Sequence, residues 1–511
     1  MRLRSVKIWV VLSAAIIGVM LLAVDGADSG QGRSSPDIPR TWDDEAMRGL
    51  ELPLADATAT PRQVSADFYY RMPVRPIYRT YPIYHPDREP RGYMASLERR
   101  EPEIAFDSSR LKTDEDWVRA GAIVFAAPIE YEYGESLNAV VRTREWYRRN
   151  KIRLAADGTV PYLRYVVREK GKVEIGILAC AMCHTRVMPN GTVITGAQGN
   201  FPDDRSDAYE TRVQPSTKSD PAAVLDHTRK FMRSSYAAPW LRPDPNARFE
   251  QMALDDILKV QEAIIPGVCA RQGSSPWYPV RIPDLIGVKD RRYLDASGLV
   301  RHRTIGDLMR YAALNQGADL IAAYGDFVPE GPVPDPATLD RYSDEELYAL
   351  ALYVYSLKPP PNPNVFGPLA ARGQKVFERE GCAMCHTPPL YTNNMLTPAA
   401  GFEVSDELAA QVDVMPLSVG TDPDLTLRSR RGTGFYKVPS LKGVWYRGPF
   451  GHMGQAATLE EWFDPRRVRD DYVPKGFRRI DATRGGIKGH EFGLDLSMAD
   501  RRALIAFLRT L

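Results

Sequence analysis

Apolar side chains recur at helical spacing in four stretches of the chain, and the stretches form two matching pairs. In Trp117-Val-Arg-Ala-Gly121-Ala-Ile-Val124-Phe125, the residues Trp117, Gly121 and Val124 fall at i, i+4 and i+7, one face of a helix. Leu369-Ala-Ala-Arg-Gly373-Gln-Lys-Val376-Phe377 places a bulky residue, Gly, Val and Phe at the same spacing. A Gly on that face lets a second backbone approach closely. Ser343-Asp-Glu-Glu346 and Ser497-Met-Ala-Asp500 read as helix starts, a Ser N-cap with an acid three residues on, strictly a capping box for Glu346. The helices they open carry Leu347, Leu350, Tyr353, Val354 and Leu357 in one case and Leu504, Phe507, Leu508 and Leu511 in the other. Only TVPYLRYVVREKGKVEIGIL, ending at Leu178, alternates enough to predict a small β-hairpin.

Between the opening and closing helices lie two more matched elements. Ile282-Pro283-Asp-Leu285-Ile-Gly287-Val288 pairs with Val438-Pro439-Ser-Leu441-Lys-Gly443-Val444. Cys180-Ala181-Met182-Cys183-His184 pairs with Cys382-Ala383-Met384-Cys385-His386. Four elements in one order, twice, predict a mainly α chain with two repeat domains, 111–360 and 365–511. The Lys358-Pro-Pro-Pro-Asn-Pro-Asn364 run breaks the chain between them. Phe125 to Cys180 spans 55 residues against five from Phe377 to Cys382, and His184 to Pro283 spans 99 against 53 from His386 to Pro439. The first domain therefore carries two large insertions, the hairpin in one of them. Residues 28–110 precede the repeats, and their five prolines and four tyrosines between Pro73 and Tyr93 predict an extended strap.

Both cysteine pentapeptides are C-x-x-C-H, the attachment signature of c-type haem. Two thiols add to the two haem vinyl groups and the adjacent imidazole reaches the iron. Zinc ribbons bring their C-x-x-C pairs about 12–20 residues apart, whereas these lie some 200 apart with a His directly after each. A thioredoxin-type dithiol has no reason to recur with the same trailing His. The expected cofactors are two covalent haem c groups held by Cys180, Cys183, Cys382 and Cys385, with His184 and His386 on the irons. Cys269, alone in IIPGVCARQG, reads as a buried small hydrophobe.

Composition adds little, but charge excludes one class. Sixty-seven Lys and Arg against 65 Asp and Glu leave a formal charge of +2 with no basic stripe, so nucleic acid is not an expected partner. A 44% hydrophobic content excludes disorder. Arg2, Arg4 and Lys7 precede seventeen uncharged residues from Ile8 to Val24. That is an export signal over 1–27, cleaved or retained as a membrane tether through 8–24. Either way a periplasmic or otherwise exported protein is expected, which suits covalent haem attachment; retention would anchor it to the inner membrane.

The doubled order of helix, C-x-x-C-H, P-x-L-x-G-V and closing helix resembles the bacterial di-haem cytochrome c peroxidase superfamily, which includes methylamine-utilisation di-haem enzymes and di-haem rubber oxygenases. The likeness is specific in Tyr436–Trp445, Gly448-Pro-Phe-Gly-His452-Met-Gly and Ala457-Thr-Leu-Glu-Glu461. Gly489-His490-Glu-Phe-Gly493 resembles the rubber-oxygenase branch. The resemblance implies two cytochrome c-type haem domains in tandem, one saturated haem passing electrons and one open iron. It places His490 as sixth ligand of the second haem, with His452 and Met453 as rivals. It implies an electron donor, a small redox protein or a quinol-linked one, and dioxygen or hydrogen peroxide as oxidant.

At the first haem the displaceable His of typical peroxidases is replaced by Asn200, and no His or Met lies between Tyr324 and Tyr342. His227, His302, Met188 and Met309 are the remaining ligand candidates, and Glu210 and Glu262 the candidate acids. The expectation is an oxidoreductase reacting at haem 1 with haem 2 as relay. The alternative is an electron-transfer cytochrome with both irons six-coordinate. The arginines and lysines from Arg466 to Lys488 are read as propionate partners, a docking face for an acidic donor, or a solvated loop.

Overall fold

The Gly-bearing helices each pair with a closing helix, and the two pairs are built alike. In the computed structural model, which describes residues 36–132, 140–213, 220–271, 273–482 and 484–511, these helices are α1 (Asp114–Ala126), α2 (Asp344–Ser356), α3 (Pro368–Arg379) and α4 (Met498–Arg509). The export segment read at 1–27 lies outside the described residues. Helix α2 starts with the expected capping box: Ser343 Oγ accepts from Glu346 N at 3.1 Å, and the Glu346 carboxylate accepts from Ser343 N at 2.7 Å. Helix α1 packs on α2, and α3 on α4. At Gly121 a Cβ would sit 1.9 Å from the Ala349 carbonyl oxygen, and at Gly373 1.9 Å from that of Ala503. Any side chain there forces the helices apart, so glycine sets the spacing of both pairs.

The remainder is helix-rich with several small sheets. The largest sheet is antiparallel, in the order β1 (Thr80–Tyr84), β3 (Thr159–Glu169), β4 (Lys172–Ile177), β2 (Glu130–Glu132). Strands β3 and β4 are the hairpin of the first insertion, in register from Arg164 opposite Gly176 to Val167 opposite Val173, with a one-residue shift before Glu169 pairs with Lys172. Strand β3 is buried along most of its length, because Trp146, Tyr147 and Phe201 cover one face. That is why its sequence reads as an apolar run with only partial alternation.

Residues 37–110 do more than lie over the body. Trp42, Leu50 and Leu52 are fully buried, and β1 extends the hairpin into the sheet. Arg431 pairs with Glu51 at 2.6 Å and Asp319 at 3.0 Å, all three buried. A central core joins Tyr236, Trp277 and Tyr278 to Tyr436, Met453 and Phe477, and residues 37–511 cluster as one unit. Lys358–Asn364 runs without helix or strand between α2 and α3. Among the described residues no helix is long and apolar enough to cross a membrane.

Candidate functional site

The P-x-L-x-G-V repeat finds its physical role at the two histidines. Each C-x-x-C forms one short helical turn, over Cys180–Cys183 and Cys382–Met384, and the turn aims the following imidazole inward. His184 Nδ1 lies 3.0 Å from the Pro283 carbonyl oxygen, and His386 Nδ1 lies 3.1 Å from that of Pro439. A carbonyl only accepts, so each Nδ1 carries the hydrogen and each Nε2 keeps a free lone pair, the arrangement of a metal-ligating imidazole. Burial pushes both rings down to about 4, so they are neutral and ligation-competent at neutral pH.

Beyond His386 opens an apolar cavity of about 180 Å³, walled by Cys382, Cys385, Leu417, Phe463 and Leu504, with His490 on its far side. The His386 and His490 ring centroids are 6.3 Å apart. A metal–nitrogen bond of about 2.0 Å on each side, plus ring radii of about 1.1 Å, would separate two imidazoles ligating one ion by about 6.2 Å. The cavity therefore fits an iron between these two rings, with the thiols of Cys382 and Cys385 on its wall.

His490 is held in an unusual backbone. Its φ is +47°, and Gly489 before it lies at +70°, a left-handed pair that a bulky side chain at 489 could not enter, since a Cβ there would meet Gly420 at 2.2 Å. The His490 N–H donates to Val419 O at 2.6 Å. Arg467, fully buried, donates to the carbonyls of Gly489 at 3.0 Å and His490 at 2.7 Å, and also to Ile487. The rival His452 has its Nε2 2.8 Å from Thr421 Oγ1 and stacks on Tyr436. Met453 is packed in the central core.

The first site has a different lining. Cys183 packs at the core that holds Cys269, which is buried as expected, its thiol pushed well up by contact with Cys183 and by burial. Arg271, half-buried, faces Cys183 and His184 and donates to Asn315 Oδ1. Tyr311 donates to Asp295 at 2.8 Å, and both face Arg271. The other candidate ligands are engaged elsewhere. His302 bonds Arg291 O through Nδ1 at 2.7 Å and the Tyr355 hydroxyl through Nε2 at 2.6 Å. His227 is exposed on the helix Pro221–Tyr236 and Met188 packs against Ile194 and Tyr446. Met309 is the exception, fully buried in the core against which Cys180 packs.

Asn200 is a stitch in the backbone. Its amide bonds Val187 N and O, each at 2.9 Å, and its oxygen accepts from Tyr162 at 2.8 Å. Glu210 accepts from Trp146 and Ser206, and Glu262 pairs with Arg212. Of the basic run from Arg466 to Lys488, Arg466, Arg469, Arg479 and Lys488 form ion pairs with nearby aspartates. Arg467 differs from them in being fully buried, and nothing in a row of arginines marks the buried one. The Arg271 and Tyr311 cluster was equally silent in sequence.

Among the described residues no group of three or more His, Cys, Asp and Glu side chains is arranged to hold a metal ion. No family model matches the chain, and no curated protein matches it. Among solved structures it is similar to the hydrazine synthase of Kuenenia stuttgartiensis pressurized with xenon, at 16% identity and a TM-score of 0.28, over 60% of this chain and 92% of that one. It is also similar to a MauG-like protein associated with microbial copper homeostasis, at 20% identity and a TM-score of 0.22, over 33% of this chain and 56% of that one.

Proposed function

We propose that this protein is an exported c-type cytochrome with two covalent haems, an oxidoreductase in which haem 2 relays electrons and haem 1 acts on peroxide or dioxygen. The observation that carries the reading is the facing pair His386 and His490, 6.3 Å apart across an apolar cavity walled by two cysteines. The first site repeats the Cys, His and Pro carbonyl arrangement, and the residues set beside it are the half-buried Arg271, Tyr311 and Asp295.

Bound haem would supply a one-electron couple at both sites and an iron able to take an oxygen ligand at the unsaturated one. The chain's own residues divide the work. Pro283 and Pro439 hold the imidazole tautomers, and Arg467 holds the backbone of His490. The apolar wall keeps water from the second site. Near the first, the Arg271 guanidinium and the Tyr311 hydroxyl are donors within a half-buried polar cluster, suited to stabilising charge or holding a proton. The electron partner is a small redox protein or a quinol-linked donor, and residues 8–24 are a candidate tether to the inner membrane.

The test is haem stoichiometry. Protein expressed with haem-maturation machinery should carry two haems that survive denaturation and acid–acetone extraction, and Cys382→Ala/Cys385→Ala should leave one. A chain that folds without haem and takes up zinc instead would overturn the proposal.

A further inference from the structure

The apolar cavity of the second site has one cationic end, formed by Arg281, Lys437 and Arg447. From those same three side chains a smaller polar cavity of about 40 Å³ continues to Arg291, Asp284 and the two proline turns, Pro283 and Pro439. Arg281 comes from the first half, on the two-residue strand Val280–Arg281. Lys437 comes from the second, on the strand Phe435–Lys437.

Two of these cations, Arg281 and Lys437, are unpartnered among the described residues, while Arg447 donates to the carbonyls of Ser440 and Lys442. Asp284, the one carboxylate lining the smaller cavity, already accepts the Tyr446 hydroxyl at 2.8 Å and lies 3.7 Å from Arg447. Arg291 is used on the carbonyls of Asp284 and Ile286. The side chains of Arg281 and Lys437 have no hydrogen bond or ion pair among the described residues, and the Nε atoms of Arg281 and Arg447 are buried without an acceptor. Burial, with Arg291 beside it, pulls Lys437 down to about 7. Half-buried cations without counter-charges are costly. Arg281 and Lys437 are two of these, beside an Arg447 that holds the carbonyls of Ser440 and Lys442 and a long ion pair to Asp284. An anion that belongs at this cavity mouth explains them.

We propose that Arg281, Lys437 and Arg447 form a carboxylate-binding site that receives the propionates of the haem in the second cavity, with Arg281 reaching across from the first half. The proposal rests on the two-haem reading above. It adds that occupancy of the second site is clamped by a first-half residue two positions before the carbonyl that holds His184. A small free anion, inorganic phosphate or acetate, has related chemistry, and the experiment separates the two sources.

The experiment uses the haem-loaded full chain, with haem content, potentiometry and resonance Raman spectra of the propionate bending region as readouts. Arg281→Met should keep two haems, shift the propionate bands and move the ferric–ferrous balance of the bis-His haem about tenfold toward ferric, a potential lower by about 59 mV. Arg281→Lys should restore the wild-type potential. If Arg281→Met loses haem, Lys437→Met is read the same way. Excess phosphate or acetate should leave the wild-type spectrum and potential unchanged, because carboxylates already fill the site. Unchanged bands and potential in both neutral variants would overturn the proposal, as would a saturable response of the wild type to phosphate. A wild-type chain lacking two covalent haems would instead overturn the underlying reading, and the proposal with it.

Discussion

At the residue scale the decisive side chains are His490 and the arginine behind it. His490→Ala should convert the second haem from low to high spin in the oxidised electron paramagnetic resonance spectrum. His452→Ala should leave ligation unchanged, since that ring is spent on Thr421 and Tyr436; the reverse ranking would assign the ligand to His452. Arg467→Met removes donors to two consecutive carbonyls that hold a left-handed backbone. It should give a mixture of spin states with His490 still present, and Arg467→Lys should recover part of the low-spin signal. His490 became a candidate through the resemblance carried by Gly489-His-Glu-Phe-Gly493, and the structure places its ring 6.3 Å from that of His386. Arg467 was not legible, because burial of one arginine among many is decided by which backbone carbonyls converge on it, and those come from residues 462–490 folded back on themselves.

At the scale of elements, pattern and structure agree where the signal is local. Capping at Ser343 and Ser497, the hairpin in the first insertion and the glycines of α1 and α3 all follow from short-range sequence. Gly373→Ala should cost roughly 1–3 kcal/mol, the usual penalty of overpacking, read as a lowered midpoint of denaturant unfolding. An exposed Gly→Ala in a helix interior would normally stabilise, so a neutral or stabilising result would refute the close approach at Ala503.

The helix Asp203–Val213 gives a pH test. Burial pushes Glu210 up to about 8 from an ordinary 4.5, so the folded state holds a proton that the unfolded chain has released. Its stability contribution is complete below about pH 4.5 and is lost as pH rises through 8. Glu210→Gln should flatten that decline by on the order of a few kcal/mol, measured as unfolding free energy between pH 5 and pH 8. An unchanged slope would mean the carboxyl ionises freely. This burial was not legible, since Glu210 lies in an insertion whose packing against Trp146 is long-range.

At the scale of the whole molecule, two similar helix pairs carry two dissimilar sites. The repeats could be read from sequence because the glycines, cysteines and prolines recur in order. The interweaving could not. Trp42 and Leu50 are buried in the core that also holds α2 residues, Glu51 pairs with Arg431, and Arg281 meets Lys437 across the halves. Such contacts join residues hundreds of positions apart and leave no periodic trace. The proposed outcome is an asymmetry, a second iron closed by two imidazoles and a first one open beside Arg271 and Tyr311. Carbon monoxide titration of the fully reduced, haem-loaded protein measures it directly. One carbon monoxide per two haems is expected, with the signal lost in His184→Ala and kept when the second haem's cysteines are removed. Binding at neither iron would make the protein an electron carrier only, and binding at the second alone would reverse the roles of the two sites.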